Sequence, residues 1–307
     1  MNSPVKVNQA QAQSELPPPS QPQAPPTIPW LQIGWIFGLI CVAFYPMLER
    51  LIKQWTNDDD MSHGFFVPIV SAYIVWLRKD EILSADLKRN YWGLALMAYA
   101  ALQYILGTIV AELFLTRTSM IFSLAGILLF IGGWKLLRIT AFPLFLLFFM
   151  VPIPSIIYTQ VTFPLQLFAS SVAETVLLLV GIPVLRDGNI LELAEQRLSV
   201  VEACSGIRSL LTLTFLSLVY GYFFETRKWI RVLLVIATIP IAIAANAFRV
   251  SMTGILYEYK REWAEGFFHT AEGWVIFMIA LCLLILFHRF VVWFHQGIQN
   301  ARAQAAH

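Results

Sequence analysis

The chain has 307 residues, of which 58% are hydrophobic and only 13% charged, with a formal net charge of +2. A soluble domain carries about twice that share of charge, so this is the composition of a membrane protein, and the weak net charge with no basic, aromatic-interleaved run excludes a nucleic-acid partner. Three cysteines, Cys41, Cys204 and Cys282, show no CxxC pairing and suit neither a disulfide framework nor a zinc ribbon.

Residues 1–29 contain eight prolines and almost no large apolar side chains. Such a segment cannot bury enough surface to offset its ordering entropy, so it is expected to be a disordered Pro/Gln-rich cytoplasmic tail. No basic start leads into a short apolar core with a cleavage site, which leaves targeting to the first membrane span. The main domain is expected over 30–296, followed by a short tail at 297–307.

Apolar runs long enough to cross a bilayer follow in order: Leu31–Leu48, Gly64–Leu77, Trp92–Ala111, Ser119–Trp134, Ile139–Ile157, Gly206–Phe224, Ile230–Leu256 and Gly273–Phe294. The second needs its flank, Met61 to His63, to span. Trp30, Trp92, Trp134, Trp229 and Trp293 stand near run ends, as interfacial anchors do. The fold class is therefore an all-α polytopic membrane protein of about eight transmembrane helices. One amphipathic helix and a small β-hairpin are expected on the outer face.

That amphipathic helix falls at 158–182, where Thr159, Thr162, Gln166, Ser170 and Glu174 recur at three- and four-residue steps and make one polar stripe. It lies in the interface or lines a cavity between spans, and these alternatives stay open. An interfacial position gives eight spans with both termini inside, which the positive-inside rule slightly favours, with Arg78 to Arg89 and Arg227 to Arg231 on the cytoplasmic side. The hairpin is expected in PVLRDGNILELAEQRLSVVEAC, turning at Asp187-Gly188-Asn189.

Ionisable groups within spans are costly unless paired or wet, so each is a functional candidate. Cys204 comes directly before a helix expected to start at Ser205 or Gly206, and both the helix N-terminus and Arg208, one turn on, favour a thiolate. The alternative is a buried structural thiol beside an arginine that reaches the headgroups. Arg249, in ANAFRVS, must find an anion, a carbonyl or water, either as a surface group or as a donor to an oxyanion. His269, in GFFHTAEGW, opens the last span and is followed by Glu272. The eight-span arrangement brings Cys204, Arg249 and His269 to one outer face, and Cys-His pairs are a general device for acyl transfer. His63 would share that face, after the acidic run Asp58 to Asp60, which reads as a solvated loop. His288, His295 and His307 read as juxtamembrane or tail residues.

The ordered set EACSGIRS, NAFRVS and FHTAEGW, with MSHGFFVP upstream, resembles the exosortase/archaeosortase family from about Asp58 through Phe294. The resemblance implies a multi-pass protein of the bacterial inner membrane with its active site facing the periplasm. It implies a cysteine transpeptidase that processes exported proteins bearing a C-terminal sorting signal: a Pro-Glu-Pro-type motif, a transmembrane helix and a basic tail. By motif, Cys204 takes the nucleophile's position, Arg249 that of the catalytic arginine and His269 that of the third member. Arg208 occupies the arginine of the cysteine motif, with Glu202, Glu272 and His63 in supporting positions. The acceptor amine is unassigned, and no cofactor or metal is implied. The competing reading is a transporter or flippase for a polysaccharide or lipid-linked precursor, with the arginines and polar stripe as its path.

Overall fold

The computed structural model describes residues 30–194, 197–199, 206–259 and 267–305, and the side chains of 30, 59, 60, 62, 206–209, 259, 267–273, 303 and 305 lie outside that description. The expected tail over 1–29 therefore also lies outside it. Helix α1 (Trp30–Ala43) meets α2 (Tyr45–Asn57) at a bend of 79°. The expected run Leu31–Leu48 is thus shorter than its hydropathy suggests. Pro46 in the first turn of α2 lacks the N–H that would continue α1. Beyond it the periodicity turns amphipathic, with Met47, Leu51 and Trp55 buried while Glu49 and Lys53 are exposed.

A 3₁₀ segment (Asp59–Phe65) leads into α3 (Phe66–Leu77), then a short α4 (Lys79–Leu83) and α5 (Trp92–Ile109). Helix α6 (Leu113–Leu146) runs on through 3₁₀ residues Leu147–Met150 and takes in two runs expected to be separate. It is not one straight rod. The Phe122 and Phe148 ring centroids are 6.0 Å apart, whereas a straight helix would separate them by about 39 Å. The reversal falls at Gly133, whose φ of 66° and ψ of −164° are closed to side-chain-bearing residues. A Cβ there would also stand 2.6 Å from the Lys88 carbonyl oxygen. The limbs Leu113–Gly132 and Trp134–Met150 are therefore antiparallel.

Arg117 near the start of α6 and Met150 at its end both reach α2: Arg117 Nη2 donates to Gln54 Oε1 (2.6 Å), and Trp55 Nε1 donates to the Met150 carbonyl (3.1 Å). This defines an upper end. The lower end holds Gly133, with Arg78 Nη1 donating to the Ile139 carbonyl. One buried cluster, including Leu51, Trp55, Val67, Ile121, Leu146 and Phe215, unites these elements.

Helix α7 (Ser155–Leu179) precedes a three-stranded antiparallel sheet: β1 (Val184–Asp187), β2 (Ile190–Leu193) and β3 (Arg197–Ser199), in that order. Asp187 pairs with Ile190, so Gly188-Asn189 is a two-residue turn, and Gly188 has the positive φ (63°) that such a hairpin requires. The expected hairpin is present and gains a third strand.

The sheet settles how the polar stripe of α7 is satisfied. Asn189 Nδ2 donates to Gln166 Oε1 (3.1 Å), Ser170 Oγ to the Gly188 carbonyl (3.0 Å), and Arg186 Nε to Glu174 Oε2 (2.8 Å). Thr159 and Thr162 bond carbonyls of their own helix.

Helices α8 (Gly206–Phe224), α9 (Lys228–Tyr259) and α10 (Phe267–Ala305) complete the described chain. They pack through Leu213, Ile230, Leu234, Ala242, Ala280 and Leu284, among others. Small side chains suit helix pairs in lipid, where close approach replaces the hydrophobic drive.

Among the described residues, five helices are long and apolar enough to cross a membrane, or six if the bent pair α1–α2 counts as one, rather than the eight expected. The difference arises where Leu113–Met150 counts once although it folds back at Gly133, where His63–Leu77 is short of crossing length, and where α8 enters only as Leu210–Phe224, the part whose side chains are described. Helix α7 is among the five, yet a sheet lies along its polar face, and open sheet edges do not occur in hydrocarbon. At the lower end Trp92, Trp134, Trp229 and Trp293 all have exposed rings, as an interfacial belt requires.

Candidate active site

Helices α8 and α9 are antiparallel, with Thr214 Oγ1 and Thr238 Oγ1 hydrogen-bonded at 3.2 Å and Gly221 lying against Arg231. Continued to the start of α8, this register sets Gly206 opposite Asn246, with Arg249 about one turn further. Helix α10 is antiparallel to α9 in turn: the Trp229 and His295 rings meet edge-on at 5.3 Å near the lower end, and Ile276 shares a buried cluster with Ala245. The first turn of α8, the Arg249 turn of α9 and the first turn of α10 thus gather at one end of the three-helix unit.

Glu202 and Cys204 lie outside the described residues. Arg208, His269 and Glu272 fall on described helix turns, but their side chains do not belong to the description. Arg249 is half-buried, and its Nε is buried with no hydrogen-bond partner among the described residues. An arginine whose Nε is withdrawn from water and unpaired costs free energy until a carbonyl or an anion meets it. Its neighbours are satisfied locally, since Ser251 Oγ donates to the Ala247 carbonyl (2.8 Å) and Thr253 Oγ1 to that of Arg249 (2.9 Å).

Beside this turn, an apolar cleft of about 710 Å³ separates α7 from α9, lined by Phe168, Val172, Val176, Pro240, Ala247 and Phe248, among others. Ser251, one turn below the cleft's end on α9, adds a hydroxyl to this lining. The Cys204 segment follows directly from β3 in sequence, so the sheet that covers α7 also delivers the chain to the start of α8.

His63 lies at the upper end, beside the close of the α6 hairpin. It is buried, at 7% exposure, and its Nε2 lies 3.1 Å from the Phe149 carbonyl oxygen. The Phe149 ring in turn meets Phe215 at 6.0 Å, and Phe215 stands about 13 Å along α8 from its start. With Trp55 on the adjacent Met150 carbonyl, His63 ties down the end of the α6 hairpin at a level below Arg249.

Two polar groups escaped the sequence reading. Arg117 is only 3% exposed, at the mouth of a limb whose apolar run begins in sequence at Ser119. His288, read as juxtamembrane, is buried at 6% exposure. Its Nε2 lies 3.1 Å from Glu225 Oε2 and its Nδ1 2.9 Å from the Tyr220 hydroxyl. Sequence spacing gives no signal for this contact, because Glu225 and His288 are brought together only by the parallel packing of α8 and α10 beside α9. Glu225 itself is held down to about 2: burial opposes ionisation, but the backbone and side chain of Arg227 and the His288 ring outweigh it. No cluster of metal-ligating side chains occurs among the described residues.

No curated protein and no solved structure matches the chain. Residues 55–286 match the family described as transmembrane exosortase (Exosortase_EpsH), a span that takes in α3 through α9 and most of α10. With helices apolar enough to cross a membrane and a match over most of its length, the chain belongs to the transmembrane exosortase family, a family of cysteine transpeptidases.

Proposed function

We propose that this protein is a membrane-embedded cysteine protease and transpeptidase. It cleaves the C-terminal sorting signal of exported proteins through a thioester on Cys204. The protein sits in the bacterial inner membrane with this end toward the periplasm. Its topology has eight crossings, with α7 and the sheet at the outer interface. The folding back of α6 at Gly133 supports two crossings there, and the sheet on the polar face of α7 supports an interfacial position for that helix.

In the mechanism, the sorting signal's helix docks beside the spans and holds the scissile peptide bond near the first turn of α8, which makes attack nearly unimolecular. His269 takes the Cys204 proton, and the thiolate attacks the carbonyl carbon. Arg249 donates to the tetrahedral oxyanion. The C–N bond breaks as His269 returns the proton to the leaving amine, and the acyl group remains as a thioester. Water or an acceptor amine then attacks that thioester and frees Cys204. Arg208 and the α8 N-terminus favour the thiolate, Glu272 orients His269, and Glu202 pairs with Arg208 or meets the substrate. His63 supports the site from below through the Phe149 carbonyl.

The observation that carries this reading, within the family match, is the helix register that gathers the starts of α8 and α10 around an arginine whose Nε has no partner among the described residues. The test is Cys204→Ala, which should insert normally and leave a sorting-signal protein uncleaved, with Cys204→Ser nearly as impaired. Normal processing in Cys204→Ala cells would refute the nucleophile. An accumulated lipid-linked precursor in its place would favour the transporter. A membrane-impermeant thiol reagent, used with Cys41 and Cys282 replaced, should label Cys204 in cells whose outer membrane is opened and inner membrane intact. Labelling only after lysis would reverse the topology.

A further inference from the structure

At the lower end, opposite the site, the three-helix unit holds a buried polar chain that the mechanism does not use. Tyr220 on α8, Glu225 in the α8–α9 turn and His288 on α10 are joined by hydrogen bonds of 2.9 and 3.1 Å. Glu225 and His288 have side-chain exposures of 3% and 8%. The carboxylate is fixed from its other side as well. Arg227 donates to Oε1 from its backbone N–H (2.8 Å) and from Nε (3.0 Å), while Arg231 Nε donates to the Glu225 backbone carbonyl (2.7 Å). The chain therefore couples α8, the turn, α9 and α10 at one point.

Elsewhere the buried cluster between these helices is apolar and includes the small residues Ala237, Ala242, Ala245 and Ala280, while a Thr214–Thr238 hydrogen bond joins α8 to α9. In lipid such surfaces bring helices close but are forgiving of axial sliding. Directional hydrogen bonds are what fix height. Among the described residues, the hydrogen bonds that join α10 to its neighbours at this end run through His288. Because an ionised Glu225 only accepts, His288 Nε2 must donate to it. A neutral ring then accepts from the Tyr220 hydroxyl at Nδ1, and a protonated ring donates to it. Both bonds persist in either state of the ring.

We propose that Tyr220, His288 and Glu225 form a positioning latch that sets the height of α10 against α8 and α9, so that the opposite helix ends meet in register. The proposal rests on the function given above only in what those ends do. His288 acts through the α10 backbone on a site a membrane's thickness away, and it contacts no substrate. A buried polar group kept for register rather than for stability is a known use of such groups.

The experiment uses the full-length protein in lipid vesicles with a sorting-signal substrate, and reads kcat, KM and disulfide formation between Ala242→Cys and Ala280→Cys on a Cys41- and Cys282-free background. His288→Phe should lower kcat about 10-fold with KM within about 2-fold, because small misplacements of reacting groups are costly. It should also cut the yield of the cross-link. His288→Gln, which keeps an Nε2 donor for Glu225, should recover at least half of both. Full kcat and full cross-linking in His288→Phe would overturn the latch, as would a loss that His288→Gln does not recover. If His288→Phe fails to insert, Tyr220→Phe removes only the hydroxyl and is read the same way. Failure of the Cys204 reading would show as processing by Cys204→Ala, and the cross-link would still decide the latch on its own.

Discussion

Helices α8, α9 and α10 carry polar groups at both ends, and the two ends treat them in opposite ways. At the lower end the Glu225 carboxylate meets Arg227 and His288, and its backbone carbonyl meets Arg231. At the upper end Arg249 keeps a buried Nε without a partner among the described residues. A paired charge in a low-dielectric site rigidifies its surroundings, whereas a buried donor left unpaired is held ready for a group that arrives later. The contrast separates an end whose polar groups satisfy one another from an end whose arginine Nε has no partner among the described residues.

The sharpest way to break this contrast is at Arg249. Arg249→Ala should lower kcat by at least about 100-fold, the scale of losing an oxyanion donor, and Arg249→Lys should recover little because an ammonium cannot reproduce the planar fork. Single-turnover assays with membrane-inserted protein would check this. A kcat unchanged by either substitution would make Arg249 an ordinary interfacial group.

A smaller effect, on stability rather than chemistry, is expected at Gly133. Gly133→Ala forces a β-carbon into a backbone region open only to glycine and against the Lys88 carbonyl. It should cost about 1–3 kcal/mol, measured as a lower unfolding midpoint in detergent. A neutral result would mean that the α6 reversal does not depend on that backbone geometry.

The smallest effect concerns acid. Glu225 titrates at about 2 in the folded protein against an ordinary 4.5. The depressed value means that its pairing stabilises the fold fully above pH 4.5 and is lost as pH falls toward 2. Thermal unfolding of the wild type should weaken across that window, and Glu225→Gln should lack this part of the decline. An identical acid profile for the two proteins would remove Glu225 from the lower lock.

Much of the local structure was legible in the sequence. Asp187-Gly188-Asn189 marked the hairpin turn, and the three- and four-residue recurrence of Gln166, Ser170 and Glu174 marked a one-sided helix. Neither revealed that the hairpin folds back onto that stripe and satisfies it, because their pairing depends on where α7 ends and β1 departs. The α6 run shows the same limit: its hydropathy marked two crossings, while the turn between them needed only Gly133 and left no polar loop to read. The burial of His63 and of His288 was hidden for a common reason. Each looked like a group at a membrane boundary, and each is buried by an element distant in sequence, the Phe149 carbonyl for one and the Tyr220–Glu225 pair for the other.

The sequence by itself determined a multi-pass membrane protein, the ordered motifs around Cys204, Arg249 and His269, and the family to which they belong. Composition, periodicity and spacing are local properties and survive in a linear reading. Only the tertiary structure decided that α6 doubles back, that the sheet covers the polar face of α7, and that one end of three helices pairs Glu225 with Arg227 and His288 while the Arg249 Nε at the other has no partner among the described residues. Those outcomes depend on antiparallel register between segments far apart in the chain, which no local pattern encodes.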